Sequence, residues 1–155
     1  MEILKKIEAE RGMVARIYSD FSLFPDSMEA HYGLNKALML SDSAPLPRHE
    51  REFLAYTTSD LNDCAYCASH HQKAYENQKN KVHSERQELL FKLAYDLTTK
   101  PNKNVDYLKD LFLTQGFSDV EWQHAVNIVA YFNFTNRLAV GMNMKLEDGF
   151  EKSCN

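Results

Sequence analysis

Apolar side chains along the chain recur three and four positions apart, and no strict alternation lasts long enough to make a strand, so the dominant period is helical. A first amphipathic stretch covers about residues 2–19. Pro25, between Phe24 and Asp26, suits the first turn of a second helix running to about Leu40. Residues 41–45 form a connector. Pro47 can then open a helix in which Phe53, Leu54 and Leu61 supply an apolar stripe, broken near residues 57–60. Asn62 and Asp63 form a short joint, and Asp63 is the expected N-cap of a helix from Cys64 to about Gln78, with Asn80 and nearby lysines at its end. Ser84 with Gln87 makes a capping-box pattern for a helix to about Thr98, and Pro101 lies beyond it. A further segment near 104–115 is stopped by Gly116. Ser118 with Glu121 repeats the capping box before a long helix carrying Trp122, Val126, Val129, Phe132 and Leu138, apolar on nearly all sides. Such a helix belongs in the middle of a core or at a subunit contact. The expected fold is all-α, a single compact domain of six or seven helices over residues 1–155, with no repeat or linker.

Composition agrees with a folded chain. Hydrophobic residues make up 44% and charged residues 26% of 155, near the globular average, and a domain of this length buries roughly 70% of its unfolded surface. The net charge of -4, without a Lys/Arg cluster, excludes the usual footprint of a nucleic-acid or anionic-membrane partner. Charges interrupt every apolar stretch near the N-terminus, which has neither signal-peptide nor membrane-spanning character; a cytoplasmic location is the expectation. Three cysteines do not make a disulfide scaffold, and in a reducing compartment a close pair points to redox chemistry or metal.

Cys64, Cys67 and His71 stand at i, i+3 and i+7, on one face of a helix. Thiols in a first helical turn have their thiolate favoured by the positive end of the helix dipole. That effect is small for catalysis. Lowering a thiol from 8.5 to about 6.5 raises its thiolate fraction at pH 7 roughly 25-fold, but the accompanying loss of nucleophilicity leaves only a ~3-fold gain. A placed acid that protonates a departing oxygen contributes about 10²- to 10⁴-fold. His71 is the candidate acid, and Glu52, on the preceding helix, is brought toward it if the short joint folds the two helices antiparallel.

The spacing Glu52, eleven residues, Cys64-x-x-Cys67, three residues, His71 resembles the active-site motif of the alkylhydroperoxidase D family, within the carboxymuconolactone decarboxylase-like superfamily, and its core falls within residues 46–80. The run from Tyr131 through Asn133, Asn136 and Arg137 is similar to the Phe-Asn-x-x-Asn-Arg signature of the superfamily's peroxidase-related branch. The resemblance implies a helical enzyme that assembles as dimers, trimers or hexamers and reduces organic hydroperoxides without metal or organic cofactor. It implies that Cys67 attacks the peroxide, that Cys64 resolves the sulfenic acid to a disulfide, that His71 and Glu52 move protons, and that a dithiol such as a lipoyl group is the reductant. The well-studied members carry His before the second cysteine where this chain has Tyr66.

Other readings of the same residues stand beside this one. Cys64, Cys67 and His71 are three ligands of a zinc-stabilised binding module if a fourth comes from His70, about 100° away on the helix, or from distant Cys154. A thiol-disulfide oxidoreductase or redox sensor uses the same pair with peroxide turnover incidental. Alone, Glu52 would be an ordinary solvated residue, His70 a surface or interface residue, and Cys154 a bystander; His31, His49, His83 and His124 have no identifiable partner. Asn133 and Arg137, four apart, should face one another as a structural anchor or subunit contact. Tyr66, Phe53 and Trp122 are core aromatics or the wall of an apolar pocket.

Overall fold

In the computed structural model, which describes residues 1–79, 85–103 and 105–154, eight α-helices follow one another without a strand among the described residues. The first expected stretch divides into α1 (Glu2–Arg11) and α2 (Arg16–Ser19). Gly12 takes the left-handed conformation (φ 78°), which costs glycine little, and its N–H bonds to the Glu8 carbonyl at 2.8 Å, stopping α1. This split turns seven expected segments into eight.

Pro25 opens α3 (Pro25–Asn35) at its first turn, and the chain continues as a π-helical turn, Lys36–Leu40. Arg51 closes the widened end by donating from Nη1 to the carbonyls of Met39 (2.7 Å) and Ser41 (3.1 Å). His124 acts likewise: its Nδ1 accepts from the Leu46 N–H at 3.1 Å and its Nε2 donates to the Leu38 carbonyl at 3.0 Å.

Helix α4 (Arg48–Leu61) begins after Pro47 and has no break at residues 57–60. Thr57, Thr58 and Ser59 are buried where α4 packs on its neighbours, and Ser59 Oγ accepts from Asn136 Nδ2 of α8 at 2.9 Å. Asp63 is not the cap of the next helix. It takes φ 51° and ends α4 in a Schellman arrangement, with Cys64 N–H to Ser59 O at 2.9 Å and Asp63 N–H to Asp60 O at 3.0 Å. Aspartate is among the few non-glycine residues that tolerate this region. Helix α5 (Ala65–Glu76) therefore starts one residue later than expected, with Cys64 as its N-cap, and ends two residues earlier.

The expected terminus at Asn80 and the cap at Ser84 lie outside the described residues; α6 spans Glu85–Thr99. Helix α7 (Asp106–Thr114) ends before Gly116 (φ 84°). The capping box of α8 (Asp119–Gly141) is formed: Glu121 N–H bonds to Ser118 Oγ at 3.3 Å, and Ser118 N–H to Glu121 Oε2 at 2.7 Å. Although α8 is central, Val120, Phe134 and Val140 are about half exposed. A 3₁₀ turn, Phe150–Ser153, completes the described chain.

Helix α4 packs on α5, α6 and α8. Around it lie two apolar clusters. One joins Leu54, Leu90, Leu93, Phe112, Ile128 and Phe132; the other joins Ile7, Ile17, Met28, Tyr32, Tyr66 and both motif cysteines. Each fully buried large side chain contributes about 1.5–3 kcal/mol. No helix among the described residues is long and apolar enough to cross a membrane.

Candidate active site

The antiparallel α4–α5 hairpin brings together the four residues expected to act. Glu52 is 1% exposed, and its Oε2 lies 2.7 Å from His71 Nδ1. Its Oε1 accepts from Arg48 Nε at 2.6 Å, one turn back on α4. A buried carboxylate is costly unless its oxygens are paired, and here both are. Burial pushes the Glu52 carboxyl up, but His71 and Arg48 outweigh it and hold the group below its ordinary value. It remains ionised, which fixes Nδ1 of His71 as a donor. The imidazole packs edge-on to Phe132, with ring centres 4.5 Å apart.

Cys64 and Cys67 are 2% and 3% exposed and are not bonded to each other. The two thiols are neighbours at the start of α5, and each is the largest influence on the ionisation of the other. The contact lowers the Cys64 thiol to about 7, and it raises the Cys67 thiol with burial acting in the same sense. The pair thus ionises as one unit, with the charge favoured on Cys64. Cys64 at the N-cap and Cys67 in the first turn of α5 also sit where the helix dipole favours that charge.

Cys67, His71 and Glu52 line a cavity of about 90 Å³, walled by Ile17, Tyr18, Tyr131 and Phe132; Cys64 is set back from it. Tyr66 lines this cavity, as one reading of the sequence allowed, but the partners that complete its roof carried no signal in the sequence. Tyr66 is buried, accepts from the Ile17 N–H at 3.2 Å, and donates to Glu147 Oε1 at 3.2 Å. Burial and then Glu147 push its phenol up, so it remains protonated. His70 is no surface residue: it lines the cavity, faces Tyr66 and Phe150, and approaches Glu147 Oε2 at 3.5 Å, Ser153 Oγ at 3.3 Å and Cys154 Sγ at 3.8 Å. Burial keeps it below its ordinary value despite Glu147. Cys154 is no bystander to the cavity either, since it is buried and lines it; burial raises its thiol to about 11.

Of the remaining candidates, His31 is buried and its Nε2 lies 3.3 Å from Thr135 Oγ1, while His124 serves the fold as described. Phe53 and Trp122 pack against the apolar core, away from the residues lining the cavity. Asn133 and Arg137 do face one another, with Arg137 Nη1 donating to the Asn133 carbonyl (2.6 Å) and Oδ1 (3.1 Å). His83 lies outside the described residues. Among the described residues no three His, Cys, Asp or Glu side chains form a group able to hold a metal ion; His71 is committed to Glu52 instead.

No family model and no curated protein matches the chain. Solved structures do. An uncharacterized peroxidase-related protein from Silicibacter sp. TM1040 superposes with a TM-score of 0.85 at 21% identity, over 99% of this chain and 87% of that one. The alkylhydroperoxidase AhpD core of an uncharacterized peroxidase-related protein from Ralstonia eutropha JMP134 gives 0.82 at 24% identity, over 96% and 85%. The debrominase Bmp8, solved with 2,3,4-tribromopyrrole, gives 0.74 at 20% identity, over 99% and 87%. The chain has the all-α fold of these proteins.

Proposed function

We propose that the protein is a thiol-dependent peroxidase that reduces small organic hydroperoxides through a Cys64/Cys67 dithiol-disulfide cycle. The observation that carries this reading is the buried Glu52–His71 pair at 2.7 Å beside Cys67 in an apolar cavity.

The cycle uses the pair in sequence. The thiolate first formed on Cys64 takes the proton of neighbouring Cys67, leaving the charge on the sulfur that faces the cavity. Cys67 Sγ attacks the terminal oxygen of ROOH; the O–O bond breaks, a sulfenic acid forms, and protonated His71 gives its proton to the leaving RO⁻. Cys64, deprotonated in turn by His71, attacks the sulfenic sulfur. Hydroxide leaves as water, and the Cys64–Cys67 disulfide remains. Glu52 stabilises the imidazolium and holds its orientation, a placement worth about 10²- to 10⁴-fold in rate. An external dithiol returns two electrons and two protons, so the sum is ROOH plus dithiol giving ROH, water and disulfide. No metal or organic cofactor takes part.

The burial of both thiols favours a small dithiol such as a lipoyl group over a protein disulfide partner, against the oxidoreductase alternative. We also infer assembly through α8, whose Val120, Phe134 and Val140 are exposed. The aromatic walls and the likeness to a debrominase favour a second substrate class, halogenated aromatics. There the same dithiol would replace C–Br by C–H, releasing bromide and a proton and leaving the disulfide.

The test is single turnover of reduced protein with one equivalent of cumene hydroperoxide or of a bromopyrrole, with the disulfide mapped by mass spectrometry. Rapid Cys64–Cys67 bonding with the peroxide, and a trappable Cys67 sulfenic acid in Cys64→Ser, is the expected result. Oxidation by the bromopyrrole alone would favour the second class; no oxidation by either would refute both.

A further inference from the structure

Asn136 belongs to α8, yet it is 1% exposed and reaches into the joint between α4 and α5. Its Nδ2 donates to Ser59 Oγ at 2.9 Å, and its Oδ1 accepts from Asn62 Nδ2 at 2.9 Å. These two partners bracket the turn that sets Cys64 in place, since the Ser59 carbonyl receives the Cys64 N–H and Asn62 is the C-cap of α4. Asn62 Nδ2 also donates to Asn133 Oδ1 at 3.1 Å, while Asn133 Nδ2 donates to Thr98 Oγ1 at 3.0 Å, tying the joint to α6. With its oxygen occupied by a donor, the Asn136 amide has its orientation fixed. Of its two N–H groups, one goes to Ser59; the other is left at the joint beside the dithiol, and Asn136 favours the ionised form of both Cys64 and Cys67.

We propose that Asn136 is the residue that holds the thiolate of the Cys64/Cys67 pair, its amide locked by Ser59 and Asn62 so that the remaining N–H points at sulfur. Because it is anchored on a different helix from both cysteines, it stabilises the charge without taking part in proton transfer: an amide neither gains nor loses a proton at working pH. The charge it serves is the one the peroxide cycle requires, so the inference rests on the proposed function for its purpose. It does not depend on that function for its test.

The experiment is a pH titration of thiolate absorbance near 240 nm in the reduced, peroxide-free protein, with the thermal midpoint recorded for each variant. A hydrogen bond to a charged acceptor corresponds to roughly one to two pH units, so Asn136→Ala should raise the first ionisation of the dithiol by about that much. Asn133→Ala removes a support of Asn62 but no thiol contact, and should leave the ionisation where it is. Should Asn136→Ala fail to fold, Asn136→Asp keeps the acceptor for Asn62 and the side-chain shape while losing the donor, and should raise the ionisation at least as far. An unmoved ionisation in a folded Asn136 variant overturns the proposal. So does an equal rise in Asn133→Ala, which would trace the effect to a slackened joint. If the wild type titrates as expected but does not turn over peroxide, the functional reading fails and this one stands.

Discussion

Replacing Glu52 by Gln tests the proton relay most directly, because it keeps the shape of the side chain and changes what its two oxygens can do. In the native site both accept, one from Arg48 Nε at 2.6 Å and one from His71 Nδ1 at 2.7 Å. Glutamine has a single acceptor oxygen, so it can serve only one of these donors. If it serves Arg48, its NH₂ faces Nδ1 and forces the opposite imidazole tautomer. If it serves His71, the Arg48 guanidinium meets a donor and moves outward, which its 24% side-chain exposure permits. Either way the imidazolium loses its countercharge. Two unit charges 4 Å apart interact by about 4 kcal/mol at an effective dielectric of 20, an upper bound on what is lost. Retaining one neutral hydrogen bond and the packing leaves an expected barrier increase of roughly 3 kcal/mol, about a 10²-fold slower disulfide formation at pH 7. Quenched single-turnover reactions with cumene hydroperoxide, analysed by alkylation and mass spectrometry, measure it. A variant within roughly threefold of wild type, below the range of general-acid contributions, would refute the relay.

Other outcomes follow from the same geometry. The ionised Glu52 carboxylate contributes stability that is complete above the ordinary carboxylate value and is lost as pH falls through its lower folded value; the acid limb of a urea-unfolding pH profile should therefore flatten in Glu52→Gln. Burial lowers His31 to about 4, so the folded state resists a proton that the unfolded state accepts near 6.5, and stability should fall by up to about 3 kcal/mol between those values; His31→Phe should remove that slope. Cys154, raised to about 11, is protonated at neutral pH and should alkylate slowly, and Cys154→Ser should leave Cys64–Cys67 bond formation unchanged. Asp63→Gly should stabilise by about 0.5–1 kcal/mol because the φ of 51° suits glycine better, and a loss of stability in denaturant titrations would contradict the turn assignment.

What sequence made legible was local. The hairpin that joins Glu52 to His71 follows from two helices and a short joint, and the capping box at Ser118 and the start at Pro25 are chemical signals within four residues. Arg48 was within reach by the same logic, four residues before Glu52, but a lone arginine at a helix start carries no mark of its partner. The misreadings have one cause: the same residue type serves two ends. Asp63 suits an N-cap and a left-handed C-terminal position alike, and the tertiary contact of Ser59 with Asn136 decides how the joint is held. Polar Thr57, Thr58 and Ser59 resemble a surface break until tertiary packing buries them and α8 supplies Asn136 to Ser59. His70, Cys154 and the Tyr66–Glu147 contact were illegible because their partners lie about 80 residues away, with no pattern to link them.

The roof of the cavity also joins segments far apart in sequence, Arg16 N–H to Glu147 Oε1 across 131 positions and the Arg11 guanidinium to the Ser153 carbonyl across 142. The floor is different: α4 packs directly on α5, α6 and α8. Shelter of the dithiol and its geometry therefore rest on separate sets of contacts. A local opening confined to the roof would bare the sulfurs to oxidant while leaving them in place.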